Sequence, residues 1–102
     1  MAMKKVKVRI TDVGGHCKVE PGIIVVNPGQ TIKFTKAIPG AIYIQVSGMR
    51  RKTTIKENED VGELEIAASS RVGIYPYAVF CYERKAFCTG SSMPIIIVPR
   101  IR

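Results

Sequence analysis

Short β-branched segments follow one another along this 102-residue chain, each ended within a few residues by glycine, proline or asparagine, and that leaves room for little besides strands. Val6, Val8 and Ile10 alternate with Lys5, Lys7 and Arg9, the pattern of a half-buried strand with one basic face. Asp12-Val13-Gly14-Gly15 breaks it. Ile23 to Val26 is a short β-branched run, and Asn27-Pro28-Gly29-Gln30 after it predicts a type II turn: proline presets the second position and glycine accepts the positive φ of the third. Thr31 to Thr35 resumes as a strand with Ile32 and Phe34 on one face. Ala41 to Val46 reads as a buried strand, Thr53 to Lys56 as a weak one, and Leu64 and Ile66 alternate with Glu63 and Glu65. Ile74 to Tyr82 places Tyr75, Tyr77, Val79 and Cys81 on a common face, and Ile95 to Val98 closes the series. Seven or eight strands at this spacing predict an all-β sandwich or barrel, with a short helix between Met49 and Asp60 as the one local alternative.

The length suits a single domain spanning residues 1–102, with one modest core. No run of eighteen apolar residues occurs, so no membrane-spanning helix is expected. The N-terminal charges alternate with apolar residues, which is a strand pattern and not that of a signal peptide. As written, the chain reads as cytoplasmic, or as periplasmic or secreted if a leader once preceded it. Three cysteines, an odd number, agree with a reducing compartment.

The segment from Val19 to Phe34, with its proline, apolar strand, Pro-Gly turn and apolar-x-Phe strand, resembles the second and third strands of the cupredoxin family. The Tyr-rich strand Gly73 to Cys81 resembles the strand leading to that family's metal-binding cysteine. Met93 to Val98 resembles its methionine and last strand. The resemblance covers about residues 19–98 and implies a Greek-key β-sandwich with its functional end at the loop from Cys81 to Met93. It also exposes a departure. A blue-copper ion takes two imidazoles, a thiolate and a weak axial thioether. The family's first histidine would fall near Gly40 to Ile42 and its second between the cysteine and Met93, and this chain has an imidazole in neither place. The resemblance therefore implies the scaffold without the blue-copper ligand set.

Three readings of the sulfurs stay open. Cys81, Cys88 and Met93 are soft donors near one loop, and thiolates with a thioether suit Cu(I). Arg84 and Lys85 lie between the two thiols and would favour their thiolates. Alternatively, two of the cysteines form a disulfide or redox pair. The third reading is inert packing, which is common for cysteine at the end of an apolar strand. His16 and Cys17 put an imidazole beside a thiol, but adjacent strand residues face opposite ways.

No nucleophile elbow, P-loop or dinucleotide fingerprint is present, so catalysis is a minority reading. The net charge of +8 is uneven, because five of the eight acids (Glu57, Glu59, Asp60, Glu63 and Glu65) fall within nine residues. Lys5, Lys7 and Arg9, with Arg50, Arg51 and Lys52, are the candidate basic partner surface. No RNA-binding signature accompanies them, which places nucleic acid below a protein partner or a second copy of the chain. The resulting expectation is a small non-enzymatic binding or accessory module without a resident cofactor. A Cu(I) or thiol redox protein is the first alternative, and a basic nucleic-acid binder the second.

Overall fold

The computed structural model describes residues 4–49, 51–88 and 94–100, and these form two facing β-sheets. Ten strands run in chain order: β1 (Val6–Val13), β2 (His16–Glu20), β3 (Ile23–Val25), β4 (Thr31–Lys36), β5 (Ile42–Val46), β6 (Arg51–Ile55), β7 (Val61–Glu65), β8 (Gly73–Cys81), β9 (Ala86–Phe87) and β10 (Ile95–Val98). The smaller sheet has the order β2-β1-β4-β7 and the larger β3-β10-β8-β5-β6, with β9 paired to β8. β1 runs parallel to β4, and β10 parallel to β3. The chain changes sheets after β2, β3, β4, β6 and β7, which makes the connectivity Greek-key.

Alternation dictates the core. Val8 and Ile10 of β1, Ile32 and Phe34 of β4, Ile42 and Ile44 of β5, and Tyr77 and Val79 of β8 all point between the sheets and are buried. Phe34 meets Tyr77 edge to face at 5.9 Å across the gap. The Tyr77 hydroxyl is buried there without a hydrogen-bond partner among the described residues. Burial pushes its phenol well above the ordinary value.

The predicted type II turn is present: the Gln30 amide donates to the Asn27 carbonyl at 3.0 Å, and Gly29 takes a φ of 86°. Residues 51–55 form strand β6 paired to β5, not a helix. The two strands beyond those expected are β2, of five residues, and β9, of two.

Candidate functional site

Parallel pairing of β1 with β4 and antiparallel pairing of β8 with β5 bring four loops to one end of the sandwich. These are the β1–β2 hairpin, the β4–β5 loop, the β6–β7 turn and the residues after β8. Ile42 lies directly across from Cys81, and the Tyr82 amide donates to the Ala41 carbonyl at 3.1 Å. The expected locus of the first histidine, Gly40 to Ile42, therefore lies beside Cys81 at this end. What fills this end is different chemistry.

Cys88 is bonded to Cys17 in a disulfide whose Cα atoms are 4.5 Å apart. The bond joins β2 of the smaller sheet to the segment after β9 on the larger one. Cys88 reaches it because its amide donates to the Val79 carbonyl at 2.6 Å, which turns the side chain to the inner face of β8. Cys81 is a free thiol, only 1% exposed. A cleft of about 450 Å³ beside the disulfide is lined by His16, Cys17, Cys81, Arg84 and Phe87 among others. Arg84 spans its mouth, donating to both carboxylate oxygens of Asp12 and to the Gly15 carbonyl. The guanidinium holds the Asp12 carboxyl below its ordinary range, chiefly through that hydrogen bond. The same pairing raises the guanidinium's own value. The disulfide and this ion pair thus fasten the same two segments.

A third fastening is the Lys36 ammonium, the one buried charged side chain among the described residues. It follows Ile32 and Phe34 on the inward face of β4, so alternation carries it into the interior. There it donates to the carbonyls of Gly40, of Lys56 at 3.0 Å and of Glu57 at 3.2 Å, tying the β4–β5 loop to the β6–β7 turn.

The residues at this end do not fit a blue-copper ion. Cys88 is covalently occupied, His16 is exposed on β2, and no cluster of three histidine, cysteine or acidic side chains able to hold a metal occurs among the described residues. Of the expected sulfur set, Cys81 and Cys88 are brought to one end, and Met93 lies outside the described residues. Cys17 joins them, a partner that sequence spacing could not supply: Cys17 and Cys88 are 71 residues apart in the chain.

The basic residues are divided. Lys7 and Arg9 stand on the outer face of the smaller sheet beside Lys33 and Thr35. Lys5 pairs with Glu63 and Lys18 with Glu20, which neutralises part of that face. Arg51 and Lys52 belong to β6 of the other sheet, and Arg50 lies outside the described residues.

The outer face of the larger sheet has the opposite character. Register aligns Ile23, Ile95 and Pro76 in one row, and Val25, Ile97 and Ile74 in the next. Farther along β8, Ala78 stands beside Gln45, and Phe80 beside Tyr43 and Phe87. Phe80 stacks edge to face on Phe87 at 5.1 Å and on Tyr82 at 5.3 Å. Ile74 is 67% exposed, Phe87 61%, and Ile23 and Val25 56% each, so the patch is open to solvent. None of the outward positions of β3, β10, β8 or β5 carries a charge. The signal was present in the sequence: Ile23 to Val26 and Ile95 to Val98 are continuous apolar runs, which supply an apolar residue to both faces of a strand.

No family model and no curated protein matches the sequence. Solved structures do match the fold. The oxidised form of plastocyanin from Dryopteris crassirhizoma superposes with a TM-score of 0.62 at 19% identity, over 91% of this chain and 99% of that one. An amicyanin variant in its reduced Cu(I) form at pH 4 gives a TM-score of 0.53 at 14% identity, over 96% of this chain and 85% of that one. The copper-containing nitrite reductase of Thermus scotoductus gives 0.54 at 15% identity, with all of this chain covering 24% of the enzyme. No helix among the described residues is long and apolar enough to cross a membrane. The chain has the cupredoxin fold, in a degenerate form that lacks the blue-copper histidines.

Proposed function

We propose that the chain is a small non-enzymatic binding module that associates with a second copy of itself through the outer face of the larger sheet. The uncharged apolar face of β3, β10 and β8 carries this reading. Apolar area left in water is unfavourable, and contiguous exposed patches of this kind mark interaction surfaces. The charge distribution favours a second copy as the occupant. With a net charge of +8, two molecules repel wherever basic faces meet. They can approach without that cost through the one sheet face whose central strands are free of charge, in a self-complementary two-fold arrangement.

Sedimentation equilibrium tests this. The wild-type chain should show a concentration-dependent dimer. Ile74→Lys with Val25→Lys should weaken it at least about 100-fold, because an ammonium buried in an apolar interface without a partner costs several kcal/mol. Lys33→Gln on the opposite face should leave it intact. A wild-type monomer at every concentration would contradict the reading.

A soft-metal or thiol redox role is the second reading, favoured by the gathering of Cys17, Cys81 and Cys88 at one end. Two electrons and two protons from a dithiol reductant would convert the Cys17–Cys88 bond to two thiols, the reductant becoming its own disulfide. Cys81, Cys88 and Met93 would then be the donors for Cu(I), with Cys17 adjacent. A Cu(I) titration against a chromophoric chelator should show one-to-one binding by the reduced chain, lost in Cys88→Ser and absent from the oxidised chain. No competition by the reduced chain would end that reading.

A further inference from the structure

A second cleft of about 450 Å³ opens at the other end of the sandwich, where the turn between β5 and β6 meets the loop that precedes β8. Arg51, Ser69, Ser70 and Arg71 line it, together with Gly48 and the ring of Tyr75. Among the described residues, no acidic side chain does. The ion pairs among the described residues are Lys5–Glu63, Lys18–Glu20 and Arg84–Asp12, so neither Arg51 nor Arg71 has an acidic partner there. Arg51 is moreover half-buried, on the first position of β6.

The wall of this cleft is fixed in advance. The Tyr75 hydroxyl donates to the Arg71 carbonyl at 2.7 Å and anchors the loop. Its ring lies against Gly48, whose φ is +83° and where an added Cβ would stand 3.4 Å from the ring. The Ser70 amide donates to the Ala67 carbonyl at 2.9 Å and closes the turn that carries both serines. Two arginines and two serines lining one cavity, with no acidic residue among the described residues beside them, supply a donor set for an anion. Guanidinium suits oxyanions that accept paired hydrogen bonds, and the hydroxyls add donors in other directions.

We infer that the cleft formed by Arg51, Arg71, Ser69 and Ser70 binds a tetrahedral oxyanion of the phosphate class, free or as a monoester. This site is independent of the apolar face and of the cysteines. Two-dimensional NMR of the wild-type chain tests it, with inorganic phosphate in one arm, glycerol 1-phosphate in the other, and chloride at matched ionic strength as the blank. Saturable shifts of the Ser69, Ser70 and Tyr75 amides are expected in the phosphate arm. Equal or tighter binding in the monoester arm would identify an organic phosphate as the ligand, and weaker binding there the free anion. Arg51→Gln and Arg71→Gln should each weaken binding roughly tenfold or more, the scale of a hydrogen bond to a charged group. Lys33→Gln should not change it. The inference is overturned if phosphate produces no saturable shift, or if both glutamine variants bind as the wild type does.

Discussion

The two sheets of this sandwich present the same inner face and opposite outer ones. Inside, both supply mostly apolar side chains at every second position. Outside, the smaller sheet carries Lys7, Arg9, Lys18 and Lys33 among Glu20, Glu63 and Glu65, whereas the larger carries Ile23, Val25, Ile74, Ile95 and Ile97. Fold stability needs only the shared inner pattern. The difference outside is therefore where interaction chemistry is written, and a basic chain has kept the part of one outer face spanned by β3, β10, β8 and β5 free of charge, with Lys52 of β6 at its edge.

If that division holds, changes on the apolar face should alter association and leave folding alone, while changes at the seam between the sheets should do the reverse. The largest effect is expected from the Ile74→Lys and Val25→Lys pair, with a loss of at least about 100-fold in self-association. Their outward positions should keep the urea midpoint near that of the wild type.

Cys17→Ser comes next. The disulfide closes a long loop and fastens the two sheets, so its loss should cost about 2–4 kcal/mol in urea unfolding while the dimer persists in the folded protein. Lys36→Met should cost about 2 kcal/mol, because buried carbonyls of Gly40, Lys56 and Glu57 lose their donor.

Tyr77→Phe should be nearly neutral or stabilise by up to about 1 kcal/mol, since it removes a buried hydroxyl that has no partner among the described residues. The same variant has a pH signature. The folded phenol stays protonated above its ordinary pKa of about 10, where the unfolded chain's phenol ionises. The unfolded state then binds fewer protons than the folded one, and wild-type stability falls as pH rises past that value. Unfolding of Tyr77→Phe followed by circular dichroism should lack that part of the decline.

Much of the fold was legible because alternation is local. Ile32 and Phe34 announce an inward face, and Asn27-Pro28-Gly29-Gln30 announces its turn, without reference to any distant residue. Continued by two positions, the same alternation would have carried Lys36 inside. A lysine there reads as the end of a strand only until its three carbonyl partners are known. The pairing of Cys17 with Cys88 was not legible, since it depends on how β2 of one sheet meets the segment after β9 of the other. The apolar outer face was half legible: the runs Ile23 to Val26 and Ile95 to Val98 declare strands apolar on both sides. Only the register shows that their outward halves align with Ile74 and Pro76 into one surface. The cleft around Tyr75 was hidden for the same reason, because Arg51 and Arg71 meet only through the packing of two separate turns.

The uncharged face of β3, β10 and β8 is the proposed contact surface between copies. Isotope-filtered NOE spectroscopy on an equimolar mixture of labelled and unlabelled chains tests it most directly. Intermolecular NOEs confined to the methyl groups of Ile23, Val25, Ile74, Ile95 and Ile97 are predicted. Intermolecular NOEs from the side chains around Lys33, or none at concentrations well above the sedimentation range, would contradict it.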